Sequence, residues 1–494
     1  MSVAEIPLAI NHGDFQASET KAEPQIHVEA DSDIQRDLHS TEAPKQESKL
    51  KDLHGWEKFK RTAKIWAKIF DSRASTYRGI MDLIGADIPT VIGGMRNIYS
   101  FIEQSVEAAE SFIMVVAAPQ LTRLVSQIVG KTFLPDLNQK DIKHHLLFHR
   151  AELHDNESFK AAINRIEDEE VHDKKHIGDL YRELGHHSKA QKLDQECDNI
   201  TNYCKDFKEN IAQGNEDAIT EHRKELLKLK EAVQLGESCV EGGLWGSFGI
   251  SMRLFRKYIL GQDSFTGTSG YANKDEQEKI GDSKGLGTKD WFGALFGVTI
   301  SPIINKLVIN ATRDREKVKN SKWLSFLDHQ FDMTHGLYPR LGMMFSFMVI
   351  PKWSSVFLTA QGRNELIEKF AKAGSMIPLW WLGQKITNGP LAAMRDKQMQ
   401  AKHGTEPSLL VNRPHPRQKG IVGMLKHLFP EAQKYYDIFK KLEGNNNKEL
   451  RKDAFDKHAR TAYEGLAAHT LMIFSAIMSS QWLTKRRVQK QLGK

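Results

Sequence analysis

Apolar and polar residues alternate with a helical period in every segment of the chain that is long enough to show one. The clearest case is residues 51–73, where five apolar residues follow at spacings of 3, 4, 3 and 4: Trp56, Phe59, Ala63, Trp66 and Phe70. Lysine and arginine occupy much of the remaining surface of this predicted helix. A basic face beside a Trp/Phe face is typical of a helix lying at a membrane interface. A helix packed on a soluble core has the same period, so both interpretations stay open.

A second pattern is the long apolar run. The segment Trp291–Ile309 is nineteen residues with one charge, Lys306, which lies close enough to the end to reach an interface. In lipid a face of small residues permits close approach of two helices, whereas in water it fits tight core packing. The sequence predicts such a helix-packing face from four residues spaced four apart: Gly293, Gly297, Ser301 and Asn305.

Two further runs resemble this one in length. Gly465–Thr484 is twenty uncharged residues, and residues 341–362 carry a single charge, Lys352, near the middle. A charge at mid-span costs about 3 kcal/mol on insertion scales, so 341–362 is the weaker span or a buried hairpin. Tryptophans near the ends of the runs suit the aromatic belt of a membrane protein. The predicted membrane-interface residues are Trp56, Phe59, Trp66, Phe70, Trp291, Trp482, Lys485, Arg486 and Arg487.

Residues 137–236 have the opposite character, because they are polar, highly charged and free of proline. Asn156 and Asn215 each precede a helical pattern and are predicted N-caps. The region is predicted to form three or four antiparallel helices, which together make a soluble helical domain.

This region also holds the one constellation that suggests metal chemistry. Eight of the twenty histidines lie between His144 and His187. Two Glu-x-x-His pairs occur here, as in di-iron carboxylate bundles, but they are fourteen residues apart with Gly178 between them. That spacing is too short for two facing helices, so a solvated face is favoured and no metal or other cofactor is expected. The candidate ligands are Glu169, His172, Glu183 and His186.

Composition narrows the class of protein. The chain has 494 residues, of which 40% are hydrophobic and 27% charged, and only three cysteines. These values exclude a disulfide framework and leave room for at most a few membrane spans. No catalytic motif is found, and the glycine-rich stretch 281–290 lacks the Gly-Lys-Ser/Thr ending of a phosphate-binding loop. The sequence therefore does not support an enzymatic activity.

Charge is distributed unevenly. Residues 1–50 carry ten acidic and four basic side chains, a net −6, so a total of +7 leaves +13 for residues 51–494. The acidic stretch has no apolar period and is predicted to be a disordered tail. A basic body favours an anionic partner. No nucleic-acid-binding motif is present, whereas basic clusters flank the apolar runs, which favours anionic lipid.

These patterns predict an all-α, multi-helix protein with a charged soluble helical domain and several apolar, membrane-associated helices. The predicted units are the tail 1–50, a basic amphipathic helix with apolar helices in 51–136, the domain 137–236, apolar helices with a glycine-rich connector (261–290) in 237–388, and a basic loop, an amphipathic helix and an apolar helix in 389–494.

The function favoured is scaffolding or interaction at the cytoplasmic face of a membrane, with anionic lipid as a partner and protein partners through 137–236. One alternative is a small-solute transporter or pore, for which Asn305, Lys352 and His469 are the polar candidates. A further alternative is a soluble metal-binding helical enzyme. For topology we expect helix 51–73, the run after Ile309 and the tail Lys485–Lys494 to face one anionic surface, with a single span or shallow docking.

Overall fold

The computed structural model describes residues 55–72, 84, 87–133, 142–213, 216–269, 271–281, 285–334, 338–404, 407–411, 430–442, 445 and 447–493. The predicted acidic tail 1–50, the N-cap Asn215 and most of the basic loop in 400–420 lie outside these residues.

The described part of the chain is helical almost throughout, which confirms the all-α prediction. Its β-structure includes one antiparallel pair of two-residue strands, β1 (Met333–Thr334) and β2 (Tyr338–Pro339), and an isolated antiparallel bridge between Leu410 and Ala432. Short 3₁₀ or π segments lie at Arg150–Leu153, Ile166–Val171, Phe255–Ile259 and Phe345–Val349. The α-helices are α1 (Gly55–Ser72), α2 (Ile88–Gly94), α3 (Ile98–Phe133), α4 (Ile142–His145), α5 (Asn156–Arg165), α6 (His172–Glu183), α7 (His187–Ala212), α8 (Glu216–Gly246), α9 (Phe248–Leu254), α10 (Lys274–Lys279), α11 (Thr288–Thr312), α12 (Arg315–Asn320), α13 (Lys322–Gln330), α14 (Leu341–Met344), α15 (Ile350–Leu358), α16 (Arg363–His403), α17 (Tyr435–Leu442) and α18 (Lys448–Gln491).

The charged helices α5, α6, α7 and the first half of α8 form a unit with a conventional apolar core. Phe148 and Phe159 stack at 4.9 Å between ring centroids, and the core also takes in Ile163, Leu226 and Leu229. Salt bridges lie around this core at half-exposed positions. We call this unit the charged domain. Its apolar residues point inward and its charges outward, as expected in water.

Helix α5 begins one residue away from the predicted cap. Asp155, not Asn156, is the N-cap, and its carboxylate accepts the Ser158 amide at 2.7 Å. Asn156 instead bonds across to α8, where its amide donates to Thr220 at 2.9 Å. Both side chains can cap a helix, and the cross-helix partner decides between them.

Helix α1 packs on the charged domain. Ile65 and Ile69 are buried against Ile177 and Tyr181, and Arg61 donates to Glu183 at 2.7 Å. The aromatic stripe predicted for this helix is therefore divided. Trp66 is half-buried beside the ring of Tyr181, and the Phe70 side chain lies outside the described residues. The remaining pair, Trp56 and Phe59, stack on each other at 5.2 Å and are exposed.

The longer apolar helices form a second unit, an antiparallel bundle of α3, α8 with α9, α11, residues 341–358, α16 and α18. Each helix has one end beside Arg256 or its neighbours: α3 through Glu103, α16 through Glu365, and α18 through Gln491, which accepts a bond from Asn364 at 2.9 Å. We call this the arginine end of the bundle. At the opposite end the bundle joins the charged domain, and Val125, Val129 and Phe347 enter its core.

Candidate functional site: a polar interior in an apolar-surfaced bundle

Helix α11 shows the organisation of the bundle in one element. The predicted packing face is buried, with Ser301 and Asn305 at 0% exposure, and Gly293 and Gly297 are buried too. Large apolar residues cover the opposite face, where Leu295 is 63% and Leu307 62% exposed. The helix thus turns its small and polar side inward and its large apolar side outward.

Close backbone contact explains the glycines. A Cβ added at Gly297 would lie 2.6 Å from the carbonyl oxygen of Gly246, and one added at Gly246 would lie 2.2 Å from the carbonyl carbon of Gly297. Both distances are far below van der Waals contact, so α8 and α11 meet backbone to backbone here. Gly242 meets the Ser301 side chain in the same way, with a Cβ distance of 2.4 Å. Small residues on two helices therefore set their separation.

The rest of the bundle repeats the outward apolar pattern. Exposed large apolar side chains lie on every long helix of the bundle, and the charged domain has few of comparable size. They include Ile113, Leu124 and Ile128 on α3, Val240 and Leu244 on α8, Trp291 and Phe292 on α11, Phe370 and Leu382 on α16, and Leu471, Trp482 and Leu483 on α18.

Ion pairs occupy the inside of the arginine end. The guanidinium of Arg256 is fully buried and donates to Glu103 at 2.7 Å and to Glu365 at 2.6 Å. Arg96 donates to Glu368 at 2.9 Å beside it. Burying a charge is costly unless it is paired and hydrogen-bonded, and each of these groups is both. Together they join the turn between α2 and α3, the start of α3, the π segment that follows α9 and the start of α16.

A second layer of charge lies slightly deeper. Arg253 donates to Asp290 at 2.7 Å and to the Thr359 carbonyl at 3.2 Å, which ties α9 and α11 to the end of α15. Lys352, the charge predicted at mid-span, has its ammonium 4.9 Å from the centre of the Trp245 ring and 4.4 Å from that of Phe248. A cation over an aromatic face is stabilised by the ring quadrupole, so this charge is held inside the bundle.

Between the arginine end and the charged domain, the interior of the bundle holds hydrogen bonds between uncharged polar side chains. Gln234 on α8 donates to Asn305 at 2.9 Å, and Asn305 donates to the Ser346 hydroxyl at 2.9 Å. One turn further along α8 lie two carboxyl groups, Glu237 at 0% and Glu241 at 3% exposure. Among the described residues no cation lies within ion-pair distance of either group, and the polar neighbour on α3 is Thr122.

These two carboxyl groups are one helical turn apart on the same face of α8. Two unpaired negative charges at that separation in a dry interior would be very unfavourable. At least one of the two therefore carries a proton. Within the bundle, this pair of carboxyl groups is the arrangement best suited to hold and release a proton.

A third set of charges lies where the bundle joins the charged domain. Lys230 pairs with Asp332 at 2.8 Å, and Arg150 donates to the Ile309 carbonyl at 3.4 Å. Burial alone would raise the pKa of Asp332, but Lys230 and His149 hold that pKa below its ordinary value. Arg150 also approaches Glu231 at 3.3 Å. The bundle thus has a charged layer at each end and an uncharged centre.

The candidate metal ligands do not converge. Glu169 pairs with Arg165 at 3.4 Å, Glu183 with Arg61, and the ring of His186 lies 6.1 Å from that of Trp66. His172 is exposed on α6. Within the described ranges no group of three or more His, Cys, Asp or Glu side chains is arranged to hold a metal ion.

The predicted interface residues at the chain's end surround the arginine end. Trp482 is exposed, and the guanidinium of Arg486 lies 4.0 Å from the centre of its ring. Arg487 donates to Asn364 at 2.5 Å, and the Lys485 ammonium lies 5.8 Å from the Tyr271 ring. Ile309 lies at the opposite end of the bundle. The structure therefore separates the basic tail from the basic run after α11, although both were expected on one surface.

Sequence reasoning missed the buried ion pairs. Arg253 and Arg256 lie in the otherwise apolar stretch 242–260, and the sequence alone does not show that Asp290, Glu103 and Glu365 are their partners. The feature of the sequence that could have revealed these pairs is the presence of charged residues inside apolar helices. Such a charge needs an oppositely charged partner, and that partner lies on another apolar helix.

No known protein family, curated protein or solved structure matches this chain.

Proposed function

We propose that this chain is a membrane-embedded scaffold, in which the apolar-surfaced bundle lies in a bilayer and holds the charged domain at the cytoplasmic face. The observation that carries the proposal is the inverted pattern of the bundle. On α11 the small and polar residues are buried while Leu295 and Leu307 are exposed. Two described helices, α11 and α18, are long and apolar enough to cross a membrane.

The exposed apolar surface of the bundle is unfavourable in water and favourable in lipid. Apolar surface left in water forgoes about 25 cal/mol per Å² of burial, and soluble monomers rarely expose contiguous apolar patches beyond a few hundred Å². In lipid the same surface is in its preferred solvent, and buried charges must be paired inside the bundle. The paired Arg256, Arg253 and Arg96 meet that requirement. A bilayer therefore accounts for both the exposed apolar surface of the bundle and the paired charges in its interior.

The charged domain supports the scaffolding part of the proposal. Its core is apolar and its outer helices carry many charges, so it is built to stand in water. Basic residues lie close to the bundle at this end, including Arg313 and Lys317. Each such cation contributes about 1 kcal/mol beside anionic lipid. We assign this end to the cytoplasmic side, with protein partners bound through α6, α7 and the start of α8.

A second candidate function is transport of a proton or small solute. The observation that favours it is the polar centre of the bundle, where Glu237, Glu241, Gln234 and Asn305 lie between helices with apolar outer faces. Ionisable residues at such a position often mark ion or proton pathways. An assay of proton flux in reconstituted vesicles, with Glu237→Gln as the comparison, separates this role from scaffolding.

The native cysteines provide the test of membrane location. Cys239 is exposed on α8 in the middle of the bundle, whereas Cys197 and Cys204 are buried in the charged domain. In native membranes the protein should resist carbonate extraction, and a membrane-impermeant maleimide should fail to label Cys239 until SDS is added. Ser188→Cys, at an exposed position on α7, is the matched control and should be labelled once the vesicles are open. Carbonate-soluble protein with rapidly labelled Cys239 would overturn the proposal.

A further inference from the structure

We infer that the bilayer surrounds the whole bundle rather than α11 and α18 alone, and that six helical passes cross it. The passes are α3, α8 with α9, α11, residues 341–358, α16 and α18. This inference rests on the proposed membrane location and adds the number of passes, the thickness of the apolar belt and the side on which each loop lies.

The outer surface of the other helices carries the first part of the inference. On α3 the exposed positions Ile113, Leu124 and Ile128 lie between its two ends, and on α8 the exposed positions are Val240 and Leu244. These helices also carry charged residues, and several of those charges face inward: Glu103 binds Arg256, and Lys372 donates to Glu107 at 3.1 Å. Average hydropathy therefore underestimates how apolar their outer faces are.

The directions of the helices carry the second part. Glu103 near the start of α3, Asp290 near the start of α11 and Glu365 near the start of α16 all lie at the arginine end. Residues 341–358 run the other way, because Phe347 lies in the core of the charged domain while Thr359 accepts a bond from Arg253. Helices α8 and α18 likewise begin at the charged-domain end. The chain therefore alternates direction at each of the six passes.

The thickness of the apolar belt carries the third part. Asp290 and Ile309 contact the charged layers at the two ends of α11, and the 19 steps between them rise about 28 Å at 1.5 Å per residue. The uncharged run Gly465–Thr484 on α18 also has 19 steps and the same rise of about 28 Å. The hydrocarbon core of a bilayer is about 30 Å thick. Helices α11 and α18 thus each give an apolar length that matches the thickness of the hydrocarbon core.

The residues that border the belt agree with this placement. At the arginine end the exposed aromatic side chains Trp291, Trp482 and Tyr258 lie beside the exposed cations Lys257 and Lys485. Aromatic rings and long cationic side chains are enriched where hydrocarbon meets the headgroups. Arg123, an exposed cation on α3, has a long stem that can extend along the apolar surface toward an interface.

Six alternating passes determine the sides. Counting from the start of α3, the charged domain and the segment 313–334 lie on one side of the membrane, and residues 261–269 with the end of α18 after Thr484 lie on the other. Helix α1 packs on the charged domain whereas α3 begins at the arginine end, so the chain also changes sides once between α1 and α3, before the six helical passes. This differs from the arrangement expected from basic residues alone, in which the run after Ile309 and the tail Lys485–Lys494 shared one surface. Two passes separate α11 from α18, so these two helices run in opposite directions.

Single-cysteine reporters test the number of passes. Ser188→Cys marks the charged domain, Glu278→Cys marks α10 near the arginine end, and Ile113→Cys marks the middle of α3; all three positions are exposed. In sealed vesicles of one orientation, an impermeant maleimide should label only one of Ser188→Cys and Glu278→Cys. The other should label after permeabilisation. Ile113→Cys and the native Cys239 should react only in SDS.

The outcomes separate the two proposals. Labelling of Ser188→Cys and Glu278→Cys from the same side, in protein that still resists carbonate, would overturn the six-pass arrangement and leave the membrane location standing. Rapid labelling of native Cys239 in such protein would also overturn it, because α8 would then face water. Extraction by carbonate would overturn both proposals. Cys239 needs no substitution, so the test does not depend on a variant that folds.

Discussion

The side-chain amide of Gln234 donates a hydrogen bond to the side-chain carbonyl of Asn305 at 2.9 Å inside the bundle, one helical turn from the charged layer at Lys230 and Ile309, and both residues are buried. Asn305 also donates to Ser346 at 2.9 Å, so three helical segments meet at one amide. This contact lies between the two charged layers and joins helices whose outer faces are apolar. Its loss would leave polar groups unpaired where water cannot replace the partner.

We predict that Asn305→Ala destabilises the bundle by about 1–2 kcal/mol, because it removes two interhelical hydrogen bonds. Denaturant unfolding of the purified protein in detergent measures the change. Thr299→Ala on the same helix is the control: the Thr299 hydroxyl is exposed and bonds only to carbonyls of its own helix. Equal stability of the two variants would show that the buried amide contact contributes nothing.

We predict opposite results for two buried glutamates. Glu237→Gln should change stability by less than about 1 kcal/mol, because Glu237 and Glu241 together already hold at least one proton, so that a neutral amide of similar shape at Glu237 can take the place of the protonated carboxyl group. Glu365→Gln should cost about 3–5 kcal/mol, because it leaves part of the buried Arg256 charge unpaired. Thermal unfolding of both variants, with Glu221→Gln on the surface as a further comparison, gives the ranking. A large loss for Glu237→Gln would mean that this carboxyl group is ionised in the fold.

We predict that Gly297→Ala destabilises the α8–α11 contact by about 1–3 kcal/mol, because its Cβ would lie 2.6 Å from the Gly246 carbonyl oxygen and force the helices apart. Gly374→Ala on α16 is the matched control, since a Cβ there meets no atom within 4 Å. That change should stabilise the helix by about 0.5–1 kcal/mol. Unfolding measured in the same detergent should therefore move in opposite directions for the two variants.

We predict that the charged domain loses stability in mild acid through His176. Burial lowers the pKa of this ring to about 4, with Lys68 as the next cause, and the rings of Tyr435 and Phe439 lie 4.8 Å and 4.4 Å away. The folded state therefore binds this proton more weakly than the unfolded state. The stabilising contribution is present above pH 6.5 and decreases as the pH falls from 6.5 to 4, by up to about 3 kcal/mol.

Melting temperatures measured between pH 7.5 and 4 check this. His176→Phe keeps a ring in the site and should flatten the pH dependence, whereas His172→Gln, on the exposed side of α6, should leave it as in the wild type. An unchanged slope in His176→Phe would assign the acid sensitivity to other groups. His149 is another contributor, because burial lowers the pKa of its ring to about 3.

The periodicity of the sequence determined the all-α class, the location of most helices and the contrast between residues 137–236 and the apolar runs. It also put Gly293, Gly297, Ser301 and Asn305 on one side of α11, and the structure buries that side. Such features depend on neighbours along the chain, because spacings of three and four residues define a helical face wherever the helix lies.

Only the tertiary structure decided what each face meets. It buried Ile65 and Ile69 of α1 against the charged domain, and it divided the predicted stripe, with Trp66 half-buried and Trp56 and Phe59 exposed. It also paired Arg256 with Glu103 and Glu365, which are 153 and 109 positions away along the chain. The physical reason is that the cost of burying a charge depends on a partner brought from another helix. A single sequence records the charge but not the partner, so it could not show that an interrupted apolar run has an apolar outer face and a paired interior.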